Sequence, residues 1–409
     1  MAKRSPSHFA VRVLWAAAAI FLLSAGIALA SSGKPGLGPR KHAKLAEARA
    51  LGGVKTCVRG RVSGRAKRIN PNGIRRRCAR KPAEASRTPE PLYWGAAIGD
   101  HVTGEQAPWD MSALTTFENE AGKSASLVHF FQPFADCSSE CSFYPFPHDP
   151  MESIRSHGSI PVLSWSSQAI PSNVNSPDYQ LGDVIEGRYD SFIREFAEEA
   201  RDWGHPFFLR FNWEMNGDWF SWAEGVNGNT SGQYVAAWRH VHDIFAAVGA
   251  TNVSWVWCPF VDPAGSMTNL ASLYPGDEYV DWTGLDGYNW GTNPASPRGW
   301  RSFDELFADS YEAITADIAP SKPLMISEMG SSEQGGDKAA WIRDALARVP
   351  AEYPQVRALL WFDKFDDGMD WPIESSANAT AAFAEGIGQS SYVSANYGEL
   401  PNGPIQPPS

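Results

Sequence analysis

After its first thirty residues the chain has no apolar run long enough to cross a bilayer as a helix, so nothing downstream reads as a membrane span. Cysteine is scarce, five in 409 residues, and the five do not form the closely spaced CxxC pairs that hold structural zinc. The acidic stretch from Asp363 to Asp370 lacks the ligand spacing of an EF-hand loop. No metal and no cofactor are therefore expected. The cysteines present suit an oxidising compartment: Cys57 with Cys78 and Cys137 with Cys141 are placed to pair, the second pair closing a small loop. Cys258 lies inside an apolar strand pattern and reads as a buried hydrophobe.

Charge divides the chain. Residues 31–90 carry 17 Lys and Arg against 3 Asp and Glu, whereas residues 91–409 carry 15 against 43. Opposition on that scale between neighbouring segments argues for separate units. The basic segment has no aromatics interleaved with its charges and the acidic remainder repels phosphate, which argues against nucleic acid as a partner. Ahead of it, Lys3, Arg4 and Arg12 precede an apolar run from Val13 to Leu29 that ends in Ala28-Leu29-Ala30, the pattern of a cleavable export signal or, if uncleaved, an anchor. The expected organisation is a signal peptide over 1–30, a flexible basic linker or small module stapled by Cys57–Cys78 over 31–90, a folded domain over 91–390 and a Pro/Gly-rich tail over 391–409. Export places the protein outside the cell, and the basic segment suits contact with an anionic cell envelope.

From residue 91 onward, short β-branched and aromatic runs alternate with amphipathic segments, the pattern of βα units on a parallel sheet. Eight strands are predicted: 93–99, 126–134, 160–166, 207–212, 253–259, 282–288, 324–329 and 358–363. The clearest helices are expected over 190–203, 233–248, 303–318 and 337–347; in the second, Val235, Trp238, Val241, His242, Phe245 and Val248 repeat on one face. Eight such units close into a (β/α)8 TIM barrel of the α/β class, whose active site lies where the strands end. Polar groups and tryptophans cluster at those ends: Trp165, Asn212, Glu214, Trp257, Asp286, Tyr288, Glu328, Trp361 and Asp363.

Two of these are glutamates that follow apolar strands, Glu214 in Arg210-Phe211-Asn212-Trp213-Glu214-Met215-Asn216-Gly217 and Glu328 in Ile326-Ser327-Glu328-Met329-Gly330. Cleaving a glycosidic bond requires a proton donor and a second carboxylate that attacks the anomeric carbon or activates water. Seventeen tryptophans suit a cleft that stacks the apolar faces of sugars, although individually each is as readily core. The segment from Arg210 to Trp222, with Glu214-Met215-Asn216-Gly217 before Trp219-Phe220 and Trp222, resembles the acid/base motif of glycoside hydrolase family 26, best known for β-mannanases. The resemblance runs through most of residues 91–385 and includes Trp282 to Trp290.

That resemblance implies a secreted, monomeric, retaining hydrolase of a β-linked polysaccharide, endo-β-1,4-mannanase-like, with a same-clan β-glucanase or β-xylanase and a non-catalytic polysaccharide-binding barrel as the alternatives. It implies Glu214 as acid/base, Glu328 as nucleophile, Tyr288 as hydrogen-bond partner of the nucleophile, Arg210 as support beneath the carboxylates, and Trp361 as the floor of the attacked sugar's subsite. Trp219, Trp222, Trp165, Trp290, Asn212 and Trp213 are further candidates to touch substrate, with Phe220 and Trp94 beside them. Trp213 departs from the family, whose mannanases carry His before the acid/base, and this opens the identity of the sugar. Asp286 and Asn289 are candidates for sugar hydroxyls or for fixing loop backbone, and His101 and His129 for structural roles or substrate contact. Asp363, Lys364 and Asp366 suggest an ion-pair cluster at the rim. Retention predicts carboxyl groups about 5–5.5 Å apart.

Overall fold

The structure, a computed structural model, describes residues 89–261, 269–294, 299–394 and 396–409. The signal, nearly all of the basic segment and the Cys57–Cys78 pair lie outside these residues.

Eight parallel strands form the wall: β1 Leu92–Ile98, β2 Leu127–Asp136, β3 Ile160–Ile170, β4 Phe207–Phe211, β5 Val253–Trp257, β6 Trp282–Asn289, β7 Leu324–Ser331 and β8 Val356–Asp363. Each pairs with the next, and β8 pairs with β1 through Trp94 opposite Leu359, so the sheet closes on itself. Closure between β1 and β2 depends on Gly95, where a Cβ would lie 1.9 Å from the carbonyl oxygen of Leu127. The expected (β/α)8 barrel is therefore the fold observed.

Among the described residues seven helices of ten residues or more surround it: α1 Met111–Ala121, α2 His148–His157, α3 Asp190–Trp203, α4 Gln233–Val248, α5 Phe303–Glu312, α6 Lys338–Glu352 and α7 Ala377–Ile387, with a short helix Leu181–Ile185 before α3. Among the described residues the position after β5 holds only a 3-10 turn, Leu270–Leu273. Helix starts follow local chemistry. Asp110, Asp337 and Ser376 accept backbone N–H bonds at the caps of α1, α6 and α7, and Ser302 with Glu305 forms a reciprocal capping box on α5. The helix expected over 303–318 changes character at Ala313, where a wider π turn carries the chain to Ile318.

Most tryptophans of the strands sit between wall and helices. Trp94 packs on Phe117 and Phe383, Trp165 stacks on Phe196 at 4.3 Å, and Trp361 meets Trp341 and Phe383. The segment 391–409 packs on the barrel: Tyr392–Val393 adds to the start of β1, the Trp282 indole donates to the Ile405 carbonyl at 2.8 Å, and the Ile405 N–H donates to Ser254 Oγ at 2.7 Å. These contacts lie at the strand starts, opposite the end where the carboxylates gather. The described residues form one unit that continues through this segment, so it is not a tail apart from the domain.

Candidate active site

Chain geometry at the end of β4 places the first carboxylate. Asn212 and Glu214 adopt positive φ values of 44° and 53°, conformations an L side chain enters at a cost unless its surroundings hold it there. The restraints are visible. Asn212 Oδ1 accepts from the Ser167 N–H at 2.9 Å and its amide donates to Ser167 Oγ at 2.8 Å, while the Glu214 N–H donates to the Cys258 carbonyl at 2.7 Å. Gly217 then permits the loop to fold back, since a Cβ there would lie 2.4 Å from the Trp219 ring. The Trp219 indole N–H consequently donates to Glu214 Oε2 at 2.6 Å.

Glu328 and Asp286 enter from β7 and β6. Pairing register slips between Leu285 and Asp286 on β6 and between Ile326 and Met329 on β7, and such irregularities re-aim side chains at barrel rims. One carboxylate oxygen from each of Glu214, Asp286 and Glu328 falls within 4.8 Å of the others. Arg210, wholly buried on β4, lies under this group: it donates to Asp286 Oδ1 at 3.0 Å and to Glu328 Oε1, and its guanidinium lies 5.1 Å from the centre of the Trp213 ring. Tyr288 donates to the other oxygen of Glu328.

Three buried acids lie around one guanidinium, and burial makes two of them, Glu214 and Asp286, hold a proton more tightly than an exposed carboxylate does. Burial and the charge of Glu328 push Glu214 up to about 8, against the opposing pull of Arg210 and the Trp219 N–H. Burial likewise drives Asp286 well above the usual carboxylate range, offset in part by Arg210. Tyr288 is driven far upward by burial and by the neighbouring carboxylates, which keeps its hydroxyl a donor.

Several candidates from the sequence are elsewhere. Trp361 does not floor a subsite: period-two alternation on β8 turns it toward the helices, where its indole donates to the Trp371 carbonyl at 3.0 Å, and presents Phe362 to the cleft beside Tyr288. Trp165, Trp94 and Trp257 are fully buried behind the wall. Trp222 is also fully enclosed, its indole donating to the Trp213 carbonyl at 2.7 Å and its ring stacked on Phe220 at 4.3 Å, so it supports the loop and does not meet sugar. Asn212 is consumed by Ser167, and Asn289 by Ser331 and the N–H groups of Gly291 and Arg301. Trp213 is nearly buried and packs against Phe131, Phe220 and Trp222. Trp219, 37 % exposed, and Trp290, against Trp371, remain at the rim. His129 lies inside the barrel, 2.7 Å from Ser164 Oγ, and burial lowers its pKa well below 6.5.

The rim cluster forms differently from expectation. Asp363 accepts from the Ile373 N–H at 2.8 Å and faces His101, while Lys364 bonds Gln106 and lies over the rings of Phe131 and Phe362. Phe131, Phe362 and Trp371, with Lys364 over the first two rings, pack beside Tyr288 and were not singled out from sequence; strand parity identifies Phe362, whereas Trp371 comes from an irregular loop. Cys137 and Cys141 are disulfide-bonded, and Cys258 is a buried free thiol beside Asp286.

Comparison with known proteins agrees with this geometry. The pattern described as glycosyl hydrolase family 26 matches residues 154–348. The chain is 37 % identical over 283 residues to Endoglucanase H of Acetivibrio thermocellus, covering 68 % of this chain and 29 % of that protein. It is 30 % identical over 174 residues to "Mannan endo-1,4-beta-mannosidase A and B" of Caldalkalibacillus mannanilyticus, covering 41 % of this chain and 30 % of the relative. The chain thus spans less than a third of the length of these two relatives. Among solved structures, the catalytic domain of the Bacillus sp. JAMB-750 endo-β-1,4-mannanase superposes with a TM-score of 0.57 at 18 % identity, over 74 % of this chain and 87 % of that one, a likeness of fold. The barrel with its paired glutamates at the ends of β4 and β7 belongs to glycosyl hydrolase family 26.

Proposed function

We propose that the chain is a retaining endo-hydrolase of a β-1,4-linked polysaccharide, acting on mannan. Glu214 donates a proton to the glycosidic oxygen as Glu328 attacks the anomeric carbon, forming a glycosyl-enzyme; Glu214 then takes a proton from the water that releases the sugar. The observation that carries this reading is the approach of one carboxylate oxygen of Glu214 to one of Glu328 within 4.8 Å, in keeping with the roughly 5–5.5 Å spacing of retaining enzymes and short of the roughly 6.5–9.5 Å across which inverting enzymes hold a water. Glu214, held up to about 8, has the protonation the first step needs. Arg210 and Tyr288 supply positive charge and a hydroxyl donor to Glu328, and Trp219 sets the orientation of Glu214.

A second reading, β-glucan as substrate, is favoured by two observations: the 37 % identical relative is named an endoglucanase, and Trp213 puts an indole where mannanases carry His. Incubation with β-mannan, mixed-linkage β-glucan and β-1,3-xylan, with chain-length analysis and NMR of the first-formed anomer, separates these. Reducing ends from mannan with retained configuration are expected. Glu214→Gln should lower kcat by roughly 10²–10⁴, and Glu328→Ala should abolish turnover. Binding without new reducing ends on every glycan would leave a non-catalytic barrel. Export directed by residues 1–30 belongs to the same proposal, with the mature N-terminus in culture medium as its test.

A further inference from the structure

On the same face of the barrel, His101 after β1, Asp363 ending β8 and Glu374 in the turn Ile373–Ser375 converge, each offering one ligand atom within 4.8 Å of the others. Neither catalytic glutamate belongs to this group. His101 Nε2 lies 3.5 Å from Asp363 Oδ2 and 3.4 Å from Glu374 Oε2. A charged imidazole–carboxylate bond closes to about 2.7–2.9 Å. This chain makes such contacts elsewhere, His240 with Asp190 at 2.7 Å and His157 with Glu118 at 3.1 Å. The wider spacing around His101 instead approaches the edge of a tetrahedron about a zinc ion, about 3.3 Å for bonds of roughly 2.0–2.1 Å.

An independent observation points into the same space. Asp363 is fully buried, its Oδ1 fixed by the Ile373 N–H at 2.8 Å, and its Oδ2 has no hydrogen-bond partner, with the His101 imidazole 3.5 Å away. A buried carboxylate oxygen left without a donor is costly unless something positive meets it. Oε1 of Glu374 and Oε2 of Glu120, the latter from α1, are buried too, and burial together with the neighbouring Glu374 raises the pKa of Glu120. Phe365 sets its ring edge-on to the His101 ring, centroids 5.2 Å apart.

We propose that His101, Asp363 and Glu374 bind a divalent cation of borderline softness, zinc in the first instance, as a structural site that ties the loop after β1 to the loop after β8. One nitrogen and two carboxylate oxygens select zinc over calcium, which takes six to eight oxygens at longer distances. Glu120 stands nearby as a further acid.

The test uses the full-length chain, stripped with chelator, loaded with ZnCl2 and freed of excess by gel filtration. The zinc retained per chain is compared with that of Glu374→Gln and His101→Ala, circular dichroism confirming that each variant folds. Comparison by difference excludes zinc held by other groups. Each variant should lose one equivalent. Zinc a hundredfold above its Kd should raise the Tm of the parent chain by roughly 5 °C and leave the variants unmoved. Equal zinc in parent and variants, or an equal Tm rise with CaCl2, overturns the proposal.

Discussion

Glu214 must carry a proton at the pH where it works, and the forces acting on it can be separated. Burial and the Glu328 charge raise it to about 8, while Arg210 and the Trp219 indole N–H favour its charged form. Because the protonated form begins the reaction, kcat/KM should fall as pH rises through about 8. Trp219→Phe keeps an aromatic ring and removes the donor that bonds Glu214 Oε2 at 2.6 Å. Loss of a group that stabilises the carboxylate raises the pKa, so the alkaline limb should move to higher pH, read from pH–rate profiles of both proteins. A limb that stays in place or moves down would show that the indole does not act on Glu214.

Arg210 joins three strands at once, standing on β4 and bonding Asp286 of β6 and Glu328 of β7. Its own pKa stays far above the working range, so it is a permanent charge in a buried site. Arg210→Met would leave two buried acids without their cation and should cost about 3–5 kcal/mol of stability in urea unfolding, as breaking a buried ion pair does. If Asp286→Leu is added, part of that loss should return, because one of the orphaned acids is gone. The strands themselves were legible: all eight appear within a few residues of their expected bounds, because parallel strands buried on both faces are near-continuous apolar runs. Two helices, α3 and α4, match their predicted ranges. Legibility failed where a single residue's facing decides the outcome. Trp361 and Phe362 are neighbours, and composition alone does not say which of two aromatic residues looks inward. The slips in register beside Asp286 and Glu328 belong to pairing across strands, which one strand's sequence does not display. Glu214 and Glu328 were legible because the motif after β4 and the apolar run before Glu328 place both at strand ends whichever way the tryptophans face.

For the molecule as a whole, chemistry and closure occupy opposite ends of the barrel. The carboxylates gather where strands finish, while the segment 391–409 reaches the starts of β1, β4, β5 and β6, with Tyr397 bonding the Pro206 carbonyl at 2.5 Å and Ile405 seated between Trp282 and Ser254. Its Pro/Gly-rich composition reads as a tail because its burial comes from isolated anchors such as Ile405, without a periodic face. A plug at the base contributes to stability and does not touch the cleft, and the two effects are separable by experiment. Ile405→Ala, at a side chain left 1 % exposed, should cost roughly 2–5 kcal/mol in denaturant unfolding, while kcat/KM measured well below the lowered Tm stays at the parent value. Were stability unchanged, the segment would be decoration on a barrel already closed without it; were kcat/KM to fall with stability intact, the two ends would be coupled through the strands, and Arg210, which spans β4, β6 and β7, would be the first place to look for the connection.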